Sequence, residues 1–225
     1  MRTNVVLLLI LKDWRLHRHV MIFSVVAGAI ALGILQIGGQ TPFVFGAAFF
    51  YISMAFCACI LPMSNIVNER KKHTLPFLMG LPISAARYGS AKLISTVGMF
   101  LLPWLTLVLA ALYTILGRHV LPHGAIPVTL ILANLPLIGF CLITGTTLVA
   151  ESEGWGVAVI AVVNSSYWMV WYLLVSYVPS LTRTWAGPVA VWNREVVNIL
   201  GAEFAVMLII LGPTLYLQSR KRNFL

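Results

Sequence analysis

The segment Asn68–Ser84 has the sequence NERKKHTLPFLMGLPIS, and it determines how the rest of the chain is interpreted. It contains four consecutive charged residues, 69–72, in an otherwise apolar chain, and it also carries large apolar residues. These are Leu75, Phe77, Leu78 and Leu81. A loop that merely joins two membrane helices does not need such a patch in water. The segment therefore predicts a surface that docks another protein, with apolar anchors inside a charged rim.

The composition on both sides of this segment is typical of an integral membrane protein. Of the 225 residues, 60% are hydrophobic and 9% are charged, and the mean hydropathy is +0.94. A soluble domain carries about 25% charged residues. The apolar residues are gathered in runs that are long enough to cross a bilayer as helices.

These runs predict an all-α membrane domain with six transmembrane helices, which occupies residues 1–225. The predicted spans are Val20–Ile37, Pro42–Ile66, Leu93–Leu116, Ile126–Ala150, Trp155–Val178 and Val197–Leu217. Residues 1–19 combine an apolar run with charged residues, which predicts a helix lying in the membrane interface. Residues 179–198 alternate apolar and polar side chains, so we expect short helices that partly dip into the membrane.

The distribution of Lys and Arg predicts the orientation. With both termini in the cytoplasm, twelve of the fifteen Lys and Arg residues lie on the cytoplasmic side, together with the connecting segment 67–92. Bases accumulate on that side in membrane proteins. They do not form a single face or stripe, so we expect the net charge of +9 to meet membrane lipid rather than nucleic acid.

The residue types predict no catalysis and no metal or cofactor site in this chain. There are six acidic residues, and they form no Ser-His-Asp, paired-carboxylate or metal-ligand pattern. No G-x-x-x-x-G-K-[ST] motif occurs, so ATP binding by a phosphate loop is not expected. Glu203 is the one acidic residue inside a predicted span, near its outer end, which is too little for an ion-coupled carrier. Energy for any transport would come from another chain.

Polar and aromatic residues in the fifth predicted span form a candidate pathway for an amphipathic substrate. They are Asn164, Ser165, Tyr167, Trp168 and Trp171. Polar atoms beside broad aromatic faces suit such a substrate. They equally suit tight helix packing combined with an aromatic belt, and both interpretations remain open from the sequence.

Two prolines divide the charged segment into parts. Pro76 and Pro82 prevent one continuous helix from the second span into the third. Pro76 suits the first turn of a short helix that Gly80 ends, and Ser84 can cap the next helix. The first turns of that helix would carry Arg87 and Lys92 at the inner headgroups. An interfacial helix lying on lipid is the alternative for the short helix.

The order of these residues resembles the first cytoplasmic loop of ABC type-2 exporter permeases. The matching positions are Glu69-Arg70, Thr74-Leu75, Leu78, Leu81-Pro82-Ile83-Ser84, Arg87 and Lys92. In that family an acidic residue is followed by Gly-Thr, a Leu-rich stretch, a Pro-containing turn, an Arg and a Lys entering the third span. Here His73 stands in place of the Gly. The six spans, the cytoplasmic termini, the interfacial helix and the outer segment are similar to the family's layout as well.

The resemblance implies the permease subunit of an ATP-driven exporter. The small size, separate subunits and charge pattern suit a bacterial cytoplasmic (inner) membrane. Cytoplasmic ABC ATPase subunits, which hold ATP and Mg, would dock on a coupling helix between the second and third spans. The residues implied in this coupling are Glu69, Arg70, Thr74, Leu75, Phe77, Leu78, Leu81 and Pro82. The permease would pair with a second copy or a paralogue and export an amphipath such as a peptide, an antibiotic, or a lipid or glycan.

Two other functions are compatible with the same residues. One is a non-transporting membrane scaffold or assembly subunit whose charged loop recruits a different soluble protein. The other is a haem-export permease of cytochrome c maturation, which has a similar length. Bound haem would favour the latter, and a neighbouring reading frame for a phosphate-loop ATPase would favour an exporter.

Overall fold

The computed structural model describes residues 5–71, 85–150 and 153–220, and these parts are helical without any strand, as the predicted all-α class requires. A π turn, Met63–Val67, joins the second helix to the third. The helices are α1 (Val5–Leu35), α2 (Gln40–Pro62), α3 (Asn68–Lys71), α4 (Ala85–Leu116), α5 (Ala125–Val149), α6 (Glu153–Tyr177), α7 (Pro179–Thr184) and α8 (Arg194–Arg220).

Six of these elements are long and apolar enough to cross a membrane, which confirms the number of predicted spans. They are α1, α2 with its π turn, α4, α5, α6 and α8, with mean hydropathies between 1.6 and 2.2. Short connections such as residues 36–39 and 117–124 make neighbouring helices antiparallel. We call the end of the bundle that carries the start of α1 and the end of α3 the basal end.

The centre of the bundle is α5, which packs against α2, α4, α6 and α8. Over its most apolar 18 residues 56% are buried, compared with 11% for α6 and 17% for α8. The rings of Phe100 on α4 and Phe140 on α5 stack with centroids 4.3 Å apart. The outer faces of α6 and α8 are apolar and uncovered, as expected for helices whose surroundings are lipid or another membrane chain.

Opposite the basal end, α7 packs directly onto the start of α5. The N–H of Gly124 donates to the carbonyl of Gly187 at 2.9 Å. A Cβ placed on Gly124 would lie 2.1 Å from the carbonyl oxygen of Thr184. Glycine is therefore required at this position by the approach of two backbones rather than by its own dihedral angles.

In the described residues, no break separates the predicted interfacial helix, residues 1–19, from the predicted first span, Val20–Ile37. Residues 5–35 form one continuous helix, α1. Its first half holds no proline or glycine to break it. The side chains of Asp13 and His17 are also buried, with 1% and 5% exposure, so one face of this half of α1 packs against the other helices.

The last helix begins three residues earlier than predicted, at Arg194 rather than Val197. The side chain of Asn193 explains the difference, because its Oδ1 accepts a hydrogen bond from the N–H of Val196 at 2.9 Å. This is the bond by which Asn caps a helix N-terminus. Of the outer segment 179–198, residues 179–184 form the short helix α7, and residues 194–198 belong to α8.

Candidate functional site

Four charged side chains from three helical elements meet at the basal end. We call them the charge cluster: Lys12 and Asp13 of α1, Glu69 of α3, and Lys92 of α4. Lys92 Nζ lies 2.9 Å from each carboxylate oxygen of Asp13 and 2.9 Å from Glu69 Oε2. Lys12 Nζ lies 2.6 Å from Glu69 Oε1 and 3.4 Å from Asp13 Oδ1. Two acids and two bases therefore alternate in a neutral ring.

The cluster is buried on one side and open on the other. The side chains of Asp13 and Lys92 are 1% and 3% exposed, and that of Glu69 is 12% exposed. Lys12, at 44%, reaches the surface. Lys92 and its two carboxylates are thus largely removed from water, whereas the side chain of Lys12 remains partly exposed to it.

Polar side chains complete the surroundings of Lys92. The carbonyl oxygen of the Asn65 side chain accepts a hydrogen bond from Lys92 Nζ at 2.9 Å. Its amide donates to Thr96 Oγ1 at 2.7 Å, and the Thr96 hydroxyl donates to the backbone carbonyl of Lys92 at 2.7 Å. The three N–H donors of the ammonium thus face acceptors on Asp13, Asn65 and Glu69, so its charge is both paired and hydrogen-bonded.

The π turn brings α2 to the cluster. Pro62 has no N–H to donate, and the hydroxyl of Ser64 donates to the carbonyl of Ile60 at 2.7 Å. The ladder then widens by one residue, as shown by the bond from the N–H of Asn68 to the carbonyl of Met63. A π turn changes which face of a helix the following residues occupy. Here Asn65 and Glu69, four residues apart, both face Lys92.

The energetics of the cluster depend on its completeness. Removing an ion from water costs several kcal/mol, and a partner offsets this cost only when the geometry is good and the remaining hydrogen bonds are made. The cluster meets both conditions. Removal of one buried member would leave its partner uncompensated, so the intact cluster ties α1, α3 and α4 together.

The cluster shows a pairing that the sequence did not indicate. Lys92 was expected to face lipid headgroups, whereas its ammonium group is buried against Asp13 and Glu69. The candidate span beginning at Leu7 also contains the buried Asp13. Opposite charges on different helices neutralise each other. A count of the charged residues along one helix does not reveal this.

The predicted coupling residues are described only in part. Thr74, Leu75, Phe77, Leu78, Leu81 and Pro82 lie outside the described residues. Glu69 and Arg70 lie in α3, and the Glu69 carboxylate pairs with Lys12 and Lys92 inside the protein. The cluster therefore holds together the two helices that flank residues 72–84, and it ties both of them to α1.

The five candidate pathway residues lie on α6 but do not share one environment. Asn164, Ser165, Trp168 and Trp171 are exposed, with Trp168 at 75%. Asn164 donates to the backbone carbonyl of Ile160 at 2.8 Å. Tyr167 instead packs inward, edge-on to another tyrosine, Tyr51 of α2, with ring centroids 4.8 Å apart. The structure thus separates one packing residue from four exposed residues, of which Asn164 also contacts α2, its Nδ2 lying 3.7 Å from Cys59 Sγ.

A second buried polar contact connects α5 and α8. The amide of Asn134 donates to Glu203 Oε2 at 3.0 Å, and the two residues are 7% exposed. Glu203 was expected near the outer end of its span. Because α8 begins at Arg194, Glu203 is the tenth residue of a 24-residue candidate span and lies close to its middle.

Part of the cluster left a signal in the sequence. Asn65 and Glu69, and likewise Lys92 and Thr96, are spaced by four residues and so fall on one face of a helix. Such polar pairs at the ends of apolar runs indicate a shared partner. Asp13 left no such signal. It lies among five charged or titratable residues between positions 12 and 19, and nothing in the sequence of this stretch distinguishes the residue that is buried.

The fold and the cluster define a multi-pass, all-α membrane protein. Comparison with protein-family models, characterised proteins and solved structures finds no match to this chain. In the described parts of the chain, no three His, Cys, Asp or Glu side chains are grouped as metal ligands. The function has to be argued from the geometry.

Proposed function

We propose that this chain is the permease subunit of an ATP-driven exporter, similar to ABC type-2 permeases, and that separate cytoplasmic ATPase subunits drive it through residues 72–84. The observation that carries the proposal is the position of the charge cluster. It joins the two helices on either side of that segment and fixes both to α1.

The cluster would allow a docked ATPase to transmit force from residues 72–84 to the membrane helices. A short element can move long helices only when its two ends are fixed to them, because a loose end absorbs the displacement. Glu69 lies three residues before the segment, and Lys92 lies two helical turns after it. A force on the segment would therefore reach α1, α3 and α4 as one body, while α6 and α8 make few contacts with that body.

The uncovered face of α6 fits a translocation pathway between two permease chains. Trp168, Trp171, Asn164 and Ser165 are exposed there, and a second copy or paralogue opposite them would enclose a path with polar and aromatic walls. The location follows from the proposal: a bacterial cytoplasmic membrane, with the basal end in the cytoplasm as the positive-inside distribution requires.

Co-purification tests the proposal. The wild-type chain, solubilised from native membranes in mild detergent, should retain a phosphate-loop ATPase that mass spectrometry identifies and that hydrolyses ATP. Leu78→Asp should lose this partner. Ile37→Asp is the matched control, because Ile37 is an exposed aliphatic residue in a connection at the opposite end of the bundle. Retention of the ATPase by Leu78→Asp, or its absence from the wild type, would contradict the proposal and favour a scaffold.

A further inference from the structure

The connection between α4 and α5 brings two histidine side chains together at the end of the bundle opposite the basal end. His119 Nδ1 and His123 Nε2 lie 3.4 Å apart. The ring centroids are 5.4 Å apart, and the ring planes are inclined by 33°. His119 is exposed and His123 is half-buried, so a small ion can reach both rings from water.

The backbone around His119 holds its ring in place. His119 has a φ of 52° and is the one non-glycine residue with a positive φ in the described ranges. Residues other than glycine rarely adopt this left-handed conformation, although His does so more often than most. The N–H of Arg118 donates to the carbonyl of Tyr113 at 3.3 Å. The N–H of Val120 donates to the carbonyl of Thr114 at 3.2 Å and closes the turn. Residues in such uncommon conformations cluster at functional sites.

The backbone around His123 is fixed by the start of α5 and by the residues after α7. The carbonyl of His123 accepts a hydrogen bond from the N–H of Ile126 at 3.1 Å. The next residue, Gly124, donates its N–H to the carbonyl of Gly187 at 2.9 Å. The two rings therefore project from two anchored turns. Histidines four residues apart meet on one face of a helix, whereas here they meet in a loop that contains a left-handed turn.

We propose that His119 and His123 chelate a Zn²⁺ ion. Zn–N bonds of about 2.0–2.1 Å at a tetrahedral ion place two nitrogen ligands about 3.3–3.4 Å apart. The observed separation of the two ring nitrogens is 3.4 Å. A neutral imidazole binds a metal through one nitrogen and keeps its proton on the other. His119 would carry its proton on Nε2 and His123 on Nδ1, so that the facing nitrogens are free to bind.

Two histidines leave two of the four positions of the ion open. In the described parts of the chain, no third His, Cys, Asp or Glu is grouped with the pair. Structural zinc sites use four protein ligands, so we expect weaker binding here, with water or the carboxylate of another molecule completing the tetrahedron. The ion would link the end of α4 to the start of α5. Its binding does not rest on the proposed function.

The alternative is a hydrogen bond from one neutral imidazole to the other. The separation of 3.4 Å is longer than the about 2.7–3.2 Å of ordinary N–H···O hydrogen bonds, so this bond would be weak. The two interpretations differ in their dependence on zinc. A hydrogen bond alone predicts no saturable uptake of Zn²⁺ that requires both rings.

Isothermal titration calorimetry of zinc chloride into the full chain, purified in a nonionic detergent without a polyhistidine tag, tests the inference. His119→Asn removes one ligand and keeps a residue that adopts the left-handed conformation. His123→Gln removes the other ligand. His19→Gln is the matched control, because His19 is an exposed histidine of α1. Magnesium chloride serves as the control ion, because Mg²⁺ prefers oxygen ligands.

We expect one Zn²⁺ per chain to bind the wild type and His19→Gln saturably, without saturable binding of Mg²⁺. His119→Asn and His123→Gln should each weaken the binding of Zn²⁺ about tenfold or more, because a single imidazole cannot chelate the ion. Zn²⁺ should also raise the midpoint of thermal unfolding of the wild type more than that of either variant.

No saturable binding of Zn²⁺ by the wild type would overturn the inference. Equal affinity of the wild type and His123→Gln would overturn it as well, and this comparison decides the matter even if His119→Asn does not fold. No ATPase is present in the assay, so a negative result leaves the proposed coupling untouched.

Discussion

Lys92 and Asp13 are separated by 79 residues, yet Lys92 Nζ lies 2.9 Å from both carboxylate oxygens of Asp13. The pair joins α1 to α4 at the basal end of the bundle. Neither side chain is more than 3% exposed. Because both charges are out of water, each depends on the other, and the predictions about the basal end follow from this dependence.

Lys92→Met should destabilise the protein strongly. The substitution keeps the approximate length of the side chain but leaves Asp13 and Glu69 as buried, uncompensated carboxylates, which costs about 3–5 kcal/mol. Thermal unfolding in detergent measures the loss. Lys12→Met is the matched control: Lys12 belongs to the same cluster but is 44% exposed, and the loss of such a pair costs about 0–1 kcal/mol. Equal losses in the two variants would contradict the account.

The double variant Asp13→Asn/Lys92→Met should recover much of the stability lost in Lys92→Met. Removing both members of the pair leaves Lys12 with Glu69, so the cluster stays neutral, and replacing a complete buried pair is often close to neutral for stability. A double variant less stable than Lys92→Met would show that the two side chains do not act as a pair.

The same double variant should separate ATPase docking from transport. Residues 72–84 are unchanged, so the ATPase should still co-purify, but α1 and α4 are no longer held together by an ion pair. We expect ATP hydrolysis without matching export of substrate in reconstituted vesicles. Export at the wild-type rate would mean that the cluster stabilises the fold without transmitting force.

Gly124→Ala should disturb the contact between α7 and α5. The new methyl group would lie 2.1 Å from the Thr184 carbonyl, and backbone on both sides must move to accommodate it. The cost should reach about 1–3 kcal/mol, as for other overpacked sites. Gly201→Ala is the control, because nothing lies within 4 Å of its Cβ position. Thermal unfolding of the two variants should place Gly201→Ala at or above the wild type. Equal behaviour would contradict the close approach.

Asn193→Ala should shorten or fray the start of α8. The hydrogen bond from the Val196 N–H to the Asn193 side chain is lost, which costs about 1 kcal/mol. Asn193→Asp keeps an acceptor at the same position and should remain near the wild-type stability. Hydrogen exchange of the amide of Val196 reports the change at its source, and equal protection in the two variants would argue against the cap.

The sequence predicted the number and approximate position of the six spans because each is a long apolar run. Its errors occurred where polar groups find partners far away in the chain. Residues 1–19 were assigned to the membrane interface and Lys92 to the headgroups, and only a fold that juxtaposes α1 and α4 pairs Asp13 with Lys92. The continuation of helical structure beyond Ile66, through the π turn Met63–Val67 into α3, likewise depends on an arrangement that no periodicity indicates.

The candidate pathway residues show a related limit of prediction from the sequence. The residue types from Asn164 to Trp171 identified a polar and aromatic stretch of α6, but adjacent residues on a helix, such as Tyr167 and Trp168, point about 100° apart. The position of α2 and α5 decides which of them is covered, and Tyr167 is the buried one. The residues that contact a second chain remain a prediction.

Site-specific cross-linking at position 78 tests most directly whether an ATPase drives this chain through residues 72–84. Leu78→Cys and, for comparison, Ile37→Cys would be labelled with a benzophenone in a background without Cys57, Cys59 and Cys141, and irradiated in native membranes. We expect position 78 to cross-link to a phosphate-loop ATPase identified by mass spectrometry, and position 37 not to. Cross-links from position 78 to lipid alone, or to a protein without a phosphate loop, would contradict the account.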